Sequence, residues 1–132
     1  MPRRASLPPE TLEDRWLLEA QTAHSFEAFE AEQQGRLDEA IALYERNVAE
    51  GFPGDLPYGR LVAIYERAAD LEAAERVLRR AIEVFEHSTR RTPQDRRATL
   101  RVFQRRLKLL LQRRNPTRRR RSAAAPAVSA PT

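Results

Sequence analysis

Residues 37–48 read LDEAIALYERNV, and residues 71–82, thirty-four positions later, read LEAAERVLRRAI. Several positions of the two stretches are identical or keep their chemical type, and a period of this length is typical of stacked helical hairpins. Because one hairpin cannot bury its apolar face alone, neighbouring hairpins stack and leave an extended surface suited to binding. The sequence therefore predicts an all-α repeat protein and argues against a catalytic pocket. The identical pairs are Leu37/Leu71, Ala40/Ala74 and Arg46/Arg80, and the similar pairs are Asp38/Glu72, Leu43/Val77, Tyr44/Leu78 and Val48/Ile82.

Length and composition set the broad class of the protein. A chain of 132 residues accommodates one domain. It contains no run of about eighteen apolar residues, and its first residues, Met-Pro-Arg-Arg, are not followed by the apolar core of a signal peptide. Without cysteine it has no disulfide, thiolate metal site or thiol nucleophile. We expect a cytoplasmic protein that makes no contact with a membrane.

The net charge of +5 conceals a division between two parts of opposite sign. Residues 1–87 carry ten basic and eighteen acidic side chains, whereas residues 88–132 carry fourteen basic and one acidic. An acidic body with a basic arm is expected when the arm meets nucleic acid, an anionic surface or the body itself.

The first third of the chain predicts a disordered leader and then a long helical segment. Residues 1–8 lack apolar periodicity, and Pro9 is suited to the first turn of a helix that runs to about Gln34. The pattern leaves open whether this segment is one helix or two, with a break near residues 21–25. We expect Trp16 and the phenylalanines in the core. The predicted apolar stripe consists of Leu12, Trp16, Ala20, Ala23 and Ala31.

Breakers divide the remaining chain into further helices. Gly35 ends the first helix, and the seven residues 51–57 contain two glycines and two prolines, which indicates a loop between repeats. We place the repeats at about 21–54 and 55–88. Thr92-Pro93 begins a fifth, capping helix over about 93–114. Residues 115–132, Arg-rich and then Ala/Pro/Ser-rich, are expected to be disordered. The apolar stripe of the fifth helix is Leu100, Phe103, Leu107 and Leu110 or Leu111.

The run Gly35-Arg36-Leu37-Asp38-Glu39-Ala40-Ile41 resembles the opening of the second helix of a tetratricopeptide repeat. Tyr58, Leu61 and Tyr65 are similar to the apolar pattern of a first repeat helix, and the resemblance covers roughly residues 21–87. It departs from the family at His24 and Glu27, where large apolar residues are usual. The implied fold is a short right-handed superhelix of about two such hairpins with a C-terminal capping helix.

The resemblance also implies a binding groove lined by the first helix of each repeat. Such a groove holds a peptide or a helix of a partner protein. The Lys/Asn set with which some relatives bind a terminal carboxylate is absent from the matching positions. The residues that the resemblance assigns to the groove are Ser25, Phe29, Glu32, Gln33, Ala63, Glu66 and Arg67, with Thr22, Leu56 and Gly59 beside them.

Catalytic and metal chemistry find little support in the sequence. His24 with Glu27 and Glu83 with His87 have one-turn spacing, but each pair offers two ligands where zinc requires three or four. The carboxylates are paired with no nucleophile, and the four glycines form no phosphate-binding loop. We therefore expect a protein that is not an enzyme and uses no cofactor.

The basic arm supports an alternative function, a nucleic-acid accessory protein that binds phosphates without sequence specificity. Clustered arginines neutralise phosphates, and binding of this kind depends strongly on salt. A third hypothesis is self-association through an uncapped repeat edge, because two repeats make a short array. The phosphate-binding candidates are Arg113, Arg114, Arg118, Arg119, Arg120 and Arg121.

Overall fold

The computed structural model describes residues 11–88 and 91–115, and within these ranges it contains five α-helices and no strand. The predicted all-α fold is confirmed. Helices α1 and α2 form one antiparallel hairpin, α3 and α4 form a second that packs on α2, and α5 packs on α4. The helices are α1 (Leu12–Gln33), α2 (Leu37–Ala49), α3 (Leu56–Arg67), α4 (Leu71–Glu86) and α5 (Pro93–Arg114).

The first helix is continuous, which settles the question that its sequence pattern left open. It begins at Leu12, three residues after the predicted start at about Pro9. The Thr11 hydroxyl accepts a hydrogen bond from the Asp14 amide at 3.0 Å, and the Asp14 carboxylate accepts one from the Thr11 amide. This reciprocal capping box satisfies two backbone donors and fixes the start of the helix.

Gly35 ends α1 as predicted. Its φ of +81° is left-handed, and the Arg36 amide donates to the Ala31 carbonyl at 2.8 Å. The same turn closes α3, where the Asp70 amide donates to the Tyr65 carbonyl at 2.8 Å and Ala69 takes a φ of +60°. Gly35 and Ala69 are thirty-four residues apart, so the repeat extends to the turns.

The apolar stripe predicted for α1 faces outward, except for Ala31, and the assignment of Trp16 to the core is wrong. Trp16 is 59% exposed because it lies on a side of α1 that is turned away from α2 and that no other described helix covers. The face of α1 that packs on α2 consists of small and polar side chains, which allow the two helices to approach closely. Its buried residues are Gln21, Ser25, Ala28 and Ala31.

The phenylalanines divide between core and surface. Phe52, Phe85 and Phe103 are buried as predicted, whereas Phe26 and Phe29 are exposed. Both exposed rings lie away from the narrow face that α1 turns toward α2. The expectation that all phenylalanines are core residues therefore fails in α1.

The second hairpin is anchored from the loop before it. Pro57 lies in the first turn of α3, and the Tyr58 hydroxyl donates to the Phe52 carbonyl at 2.8 Å. Tyr58 is fully buried, and its ring meets Phe85 edge-on at a centroid distance of 5.5 Å.

The fifth helix begins as predicted, with the Thr92 hydroxyl accepting a hydrogen bond from the Asp95 amide. Phe103 stacks on Phe85 at 5.6 Å and joins Tyr58 to form an aromatic cluster shared by α3, α4 and α5. Leu110 is buried and Leu111 is not, which decides the alternative in the predicted stripe.

The described part of the chain holds no helix with the length and apolarity needed to traverse a lipid bilayer. The predicted leader, residues 1–8, and the predicted tail from residue 116 onward lie outside the described ranges.

Candidate functional site

Helix α3 lies between α1 and α5 along one face of the molecule, and its side chains reach both neighbours. Arg60 donates a hydrogen bond to Glu32 of α1, and Glu66 forms ion pairs with Arg106 and Arg113 of α5. Ala63 lies between Arg60 and Glu66 at helical spacing. We call this surface, whose central row on α3 is Leu56, Ala63 and Arg67, the α1–α3–α5 face.

The contact between α1 and α3 is an ion pair whose carboxylate is nearly buried. The Glu32 side chain is 8% exposed and accepts hydrogen bonds from Arg60 Nε and from the Tyr44 hydroxyl, each at 3.0 Å. Arg60 Nη2 donates to its second carboxylate oxygen, so the pair is bidentate. The hydrogen bonds from Arg60 hold the pKa of Glu32 below its ordinary value, with smaller contributions from Tyr44 and from the charge of Arg67. Glu32 therefore fixes the spacing of α1, α2 and α3.

The contact between α3 and α5 repeats this arrangement with a different acid. Arg113 Nη1 lies 2.9 Å from Glu66 Oε2, and Arg106 Nη2 lies 3.7 Å from Glu66 Oε1. Glu32 and Glu66 are thirty-four residues apart, so each of the two hairpins uses a carboxylate of its first helix to hold the next helix along the face.

A third acid joins α2, α3 and α4 and was not identified from the sequence. Glu45 accepts a hydrogen bond from the Tyr65 hydroxyl and forms an ion pair with Arg76, whose Nη1 lies 3.1 Å from Glu45 Oε1. Burial, reinforced by the bond to Glu45, raises the pKa of Tyr65 to about 12. The residue thirty-four positions after Glu45 is Arg79, which is not an acid. Comparing the two similar stretches of sequence therefore could not point to this contact.

The predicted groove residues lie in three different environments. Ser25 is buried on the side of α1 that packs on α2, so its placement in an exposed groove is wrong. Glu32 and Glu66 hold helices together, as described above. Phe29 is 39% exposed, and Gln33, Ala63 and Arg67 also reach the surface. The side chains on the face that are available to a partner are therefore Phe29, Gln33, Ala63 and Arg67.

The predicted phosphate-binding arginines that the structure describes already have acidic partners. Arg113 is paired with Glu66, and Arg114 with Glu75. Hydrogen bonds from Arg79, and then from Arg114, lower the pKa of Glu75. Arg118, Arg119, Arg120 and Arg121 lie outside the described residues. The other exposed basic side chains of α5 are Arg97, Arg101, Arg105 and Lys108.

Metal-ligating side chains do not converge anywhere in residues 11–88 and 91–115, where no group of three or more was found. His87 follows the last residue of α4 and its Nδ1 lies 2.9 Å from the Glu83 carbonyl, so it caps its own helix.

An open pocket of about 260 Å³ lies beneath the overhanging part of α1. Its lining comes from α1, from the loop after α2 and from the end of α4, and it includes none of the predicted groove residues. The residues around it include Leu17, Leu18, Gln21, Gly51, Pro53 and His87.

The chain matches no protein-family model, no curated protein and no solved structure.

Proposed function

We propose that the protein is a non-enzymatic adaptor whose helices form a short tetratricopeptide-like superhelix and bind a peptide or a helix of a partner protein. The observation that carries this proposal is the α1–α3–α5 face. Its three helices are held at fixed spacing by Glu32 and Glu66, while Phe29, Gln33, Ala63 and Arg67 remain accessible between and beside these ion pairs.

The chemistry of the face favours a partner segment with an apolar anchor and a carboxylate. Phe29 offers an exposed aromatic ring, and aromatic side chains often dominate interface energetics. Arg67 is exposed at the end of α3, whereas Arg60 and Arg106 on either side of the central row are already paired with Glu32 and Glu66. Arginine binds carboxylates with two parallel hydrogen bonds. Small Ala63 leaves room for the backbone of the partner to approach α3.

A comparison of two exposed aromatic residues on the same helix tests the proposal. Phe29→Asp should abolish capture of a protein partner from host lysate treated with nuclease, with the captured proteins identified by mass spectrometry. Trp16→Asp is the matched control, since Trp16 is also exposed on α1 but lies about 140° around the helix from Phe29. Circular dichroism should show both variants folded.

Two results would contradict this assignment. Loss of helical signal in Phe29→Asp would show that Phe29 is a core residue, and equal capture by wild type and Phe29→Asp would remove the face from partner binding. Arg67→Glu is a second test of the α1–α3–α5 face, because it reverses a charge on that face without changing apolar packing.

The alternative function is nonspecific phosphate binding by the basic arm. Its support is the row of exposed cations on α5, Arg97, Arg101, Arg105 and Lys108. Deleting residues 115–132 should then reduce affinity for an oligonucleotide at low salt, and the affinity should fall steeply as salt rises. Undiminished affinity in the truncated chain would remove the tail from this mechanism.

A further inference from the structure

The first and last described helices each expose a row of side chains with helix-packing spacing. On α1 the row is Leu12, Trp16, Glu19, Ala23 and Phe26, which we call the α1 outer row, and all of its members are exposed. On α5 the row is Ala98, Val102, Arg105 and Leu109, the α5 outer row, and its members are exposed as well. Leu12, Trp16, Phe26, Val102 and Leu109 are each more than half exposed.

Both rows advance in alternating steps of four and three residues, which is the spacing of a seam between two packed helices. Each places a charged residue at the same step, Glu19 on α1 and Arg105 on α5, with apolar residues before and after it. The helices have the same length, 22 residues, or about 33 Å at 1.5 Å per residue. The two rows therefore share the same spacing and lie on helices of equal length.

The charges of the two helices are complementary. Helix α1 carries six acidic and one basic side chain, and α5 carries eight basic and one acidic. Glu27 and Glu30 are exposed near the α1 outer row, and Arg101 and Lys108 are exposed near the α5 outer row. Complementary charge raises the rate of association and fixes the register of an interface, while juxtaposed like charges disfavour the wrong pairing.

We propose that the α1 outer row of one copy of this protein packs against the α5 outer row of a second copy. A pairing of two different surfaces is heterologous, so it propagates head to tail until it closes into a ring or continues as a filament. The interface would bury Trp16 and Leu109 and bring Glu19 near Arg105. The centre of the interface is separate from the proposed partner binding, because Trp16 lies about 140° around α1 from Phe29.

Sedimentation velocity and tryptophan emission of the full-length chain test the proposal directly. Trp16 is the only tryptophan in the sequence. Its emission should shift to shorter wavelength over the concentration range in which the sedimentation coefficient rises, and raised salt should weaken the association. A wild-type chain that stays monomeric up to about 1 mM, the concentration scale of weak association, overturns the proposal.

Variants blocked on one row distinguish a heterologous interface from a symmetric one. Trp16→Asp blocks the α1 outer row, and Leu109→Asp blocks the α5 outer row. Each variant alone should be monomeric. An equal mixture should form a heterodimer and nothing larger, because Leu109→Asp keeps an intact α1 outer row and Trp16→Asp keeps an intact α5 outer row. Phe29→Asp is the control and should associate like wild type.

Two other results would overturn the inference. Leu109→Asp that still associates alone would show that α1 rows pair with each other, and Trp16→Asp that still associates alone would show the same for α5. A monomer whose Trp16 emission is at short wavelength at every concentration would also overturn it. In that case the α1 outer row is covered by another segment of the same chain. Leu12→Asp and Val102→Asp form a second blocking pair in case either first variant fails to fold.

Discussion

Glu32 and Glu66 are equivalent residues one repeat apart, and each holds the next helix along the α1–α3–α5 face through arginine. Glu32 pairs with Arg60 of α3, and Glu66 pairs with Arg106 and Arg113 of α5. The arginine partners are not related by the thirty-four-residue offset. The acid is therefore repeated, whereas the arginines occupy unrelated positions on α3 and α5. Polar contacts therefore hold the helices together at the α1–α3–α5 face, and apolar contacts hold them together in the core behind it.

Removing the charge of Glu32 should destabilise the fold. Glu32→Gln keeps an acceptor for Tyr44 but loses the ion pair with Arg60, so we expect a loss of about 1–2 kcal/mol at pH 7. Denaturant unfolding followed by circular dichroism measures it. Glu39→Gln is the matched control, since Glu39 pairs with Arg36 at 3.0 Å but both side chains are about half exposed, and its effect should stay within about 0.5 kcal/mol. Equal losses in the two variants would contradict the structural role of Glu32.

The contribution of Glu32 should also depend on pH. Its pKa in the folded protein is lowered, chiefly by hydrogen bonds from Arg60. A lowered folded pKa contributes stability that is fully present above the ordinary glutamate pKa of about 4.3 and is lost as pH falls through the folded value. The difference in unfolding free energy between wild type and Glu32→Gln should therefore be constant from pH 7 to about 5 and shrink below about 4. A difference that does not change down to the acid transition would argue against this coupling.

Substitutions in the turns after α1 and α3 should change the stability of the protein in opposite directions, Gly35→Ala lowering it and Ala69→Gly raising it. Gly35→Ala places a side chain in a left-handed conformation with no atom within 4 Å, so its expected cost of about 1–2 kcal/mol is purely conformational. Ala69→Gly relieves the same strain but adds freedom to the unfolded chain, so a smaller gain of about 0.5–1 kcal/mol should remain. Thermal unfolding of both variants provides the test, and a destabilised Ala69→Gly would show that the turn stores little strain.

The attachment of α5 should depend on Phe103. This ring is buried against Phe85 and Tyr58, and Leu110 is the other fully packed residue of α5. We expect Phe103→Ala to lower the unfolding free energy by about 3–5 kcal/mol. Phe26→Ala removes an equally large ring from the surface and should change it by less than about 0.5 kcal/mol. Hydrogen exchange should show α5 losing protection first in Phe103→Ala. Retained protection there would mean that the ion pairs of Glu66 and Glu75 hold the helix without the aromatic cluster.

The sequence by itself determined the helices and their order, because the signals for them are local. The glycine at 35 and the capping residue Thr92 depend only on neighbours in the chain, and the structure confirms both. It also indicated Glu32 and Glu66 as equivalent residues on one face, although not the arginines that bind them.

Only the tertiary structure decided which side of α1 is buried. The predicted apolar stripe of that helix included Leu12, Trp16 and Ala23, yet these residues are exposed and Ser25 is buried. The physical reason is the relative length and placement of the elements. A shorter α2 packs closely on the small residues of α1, from Gln21 to Ala31, and no other described helix covers the remaining apolar row. Amphipathic spacing shows which residues share a side of a helix, but which side meets a neighbour is set by close packing between residues distant in sequence.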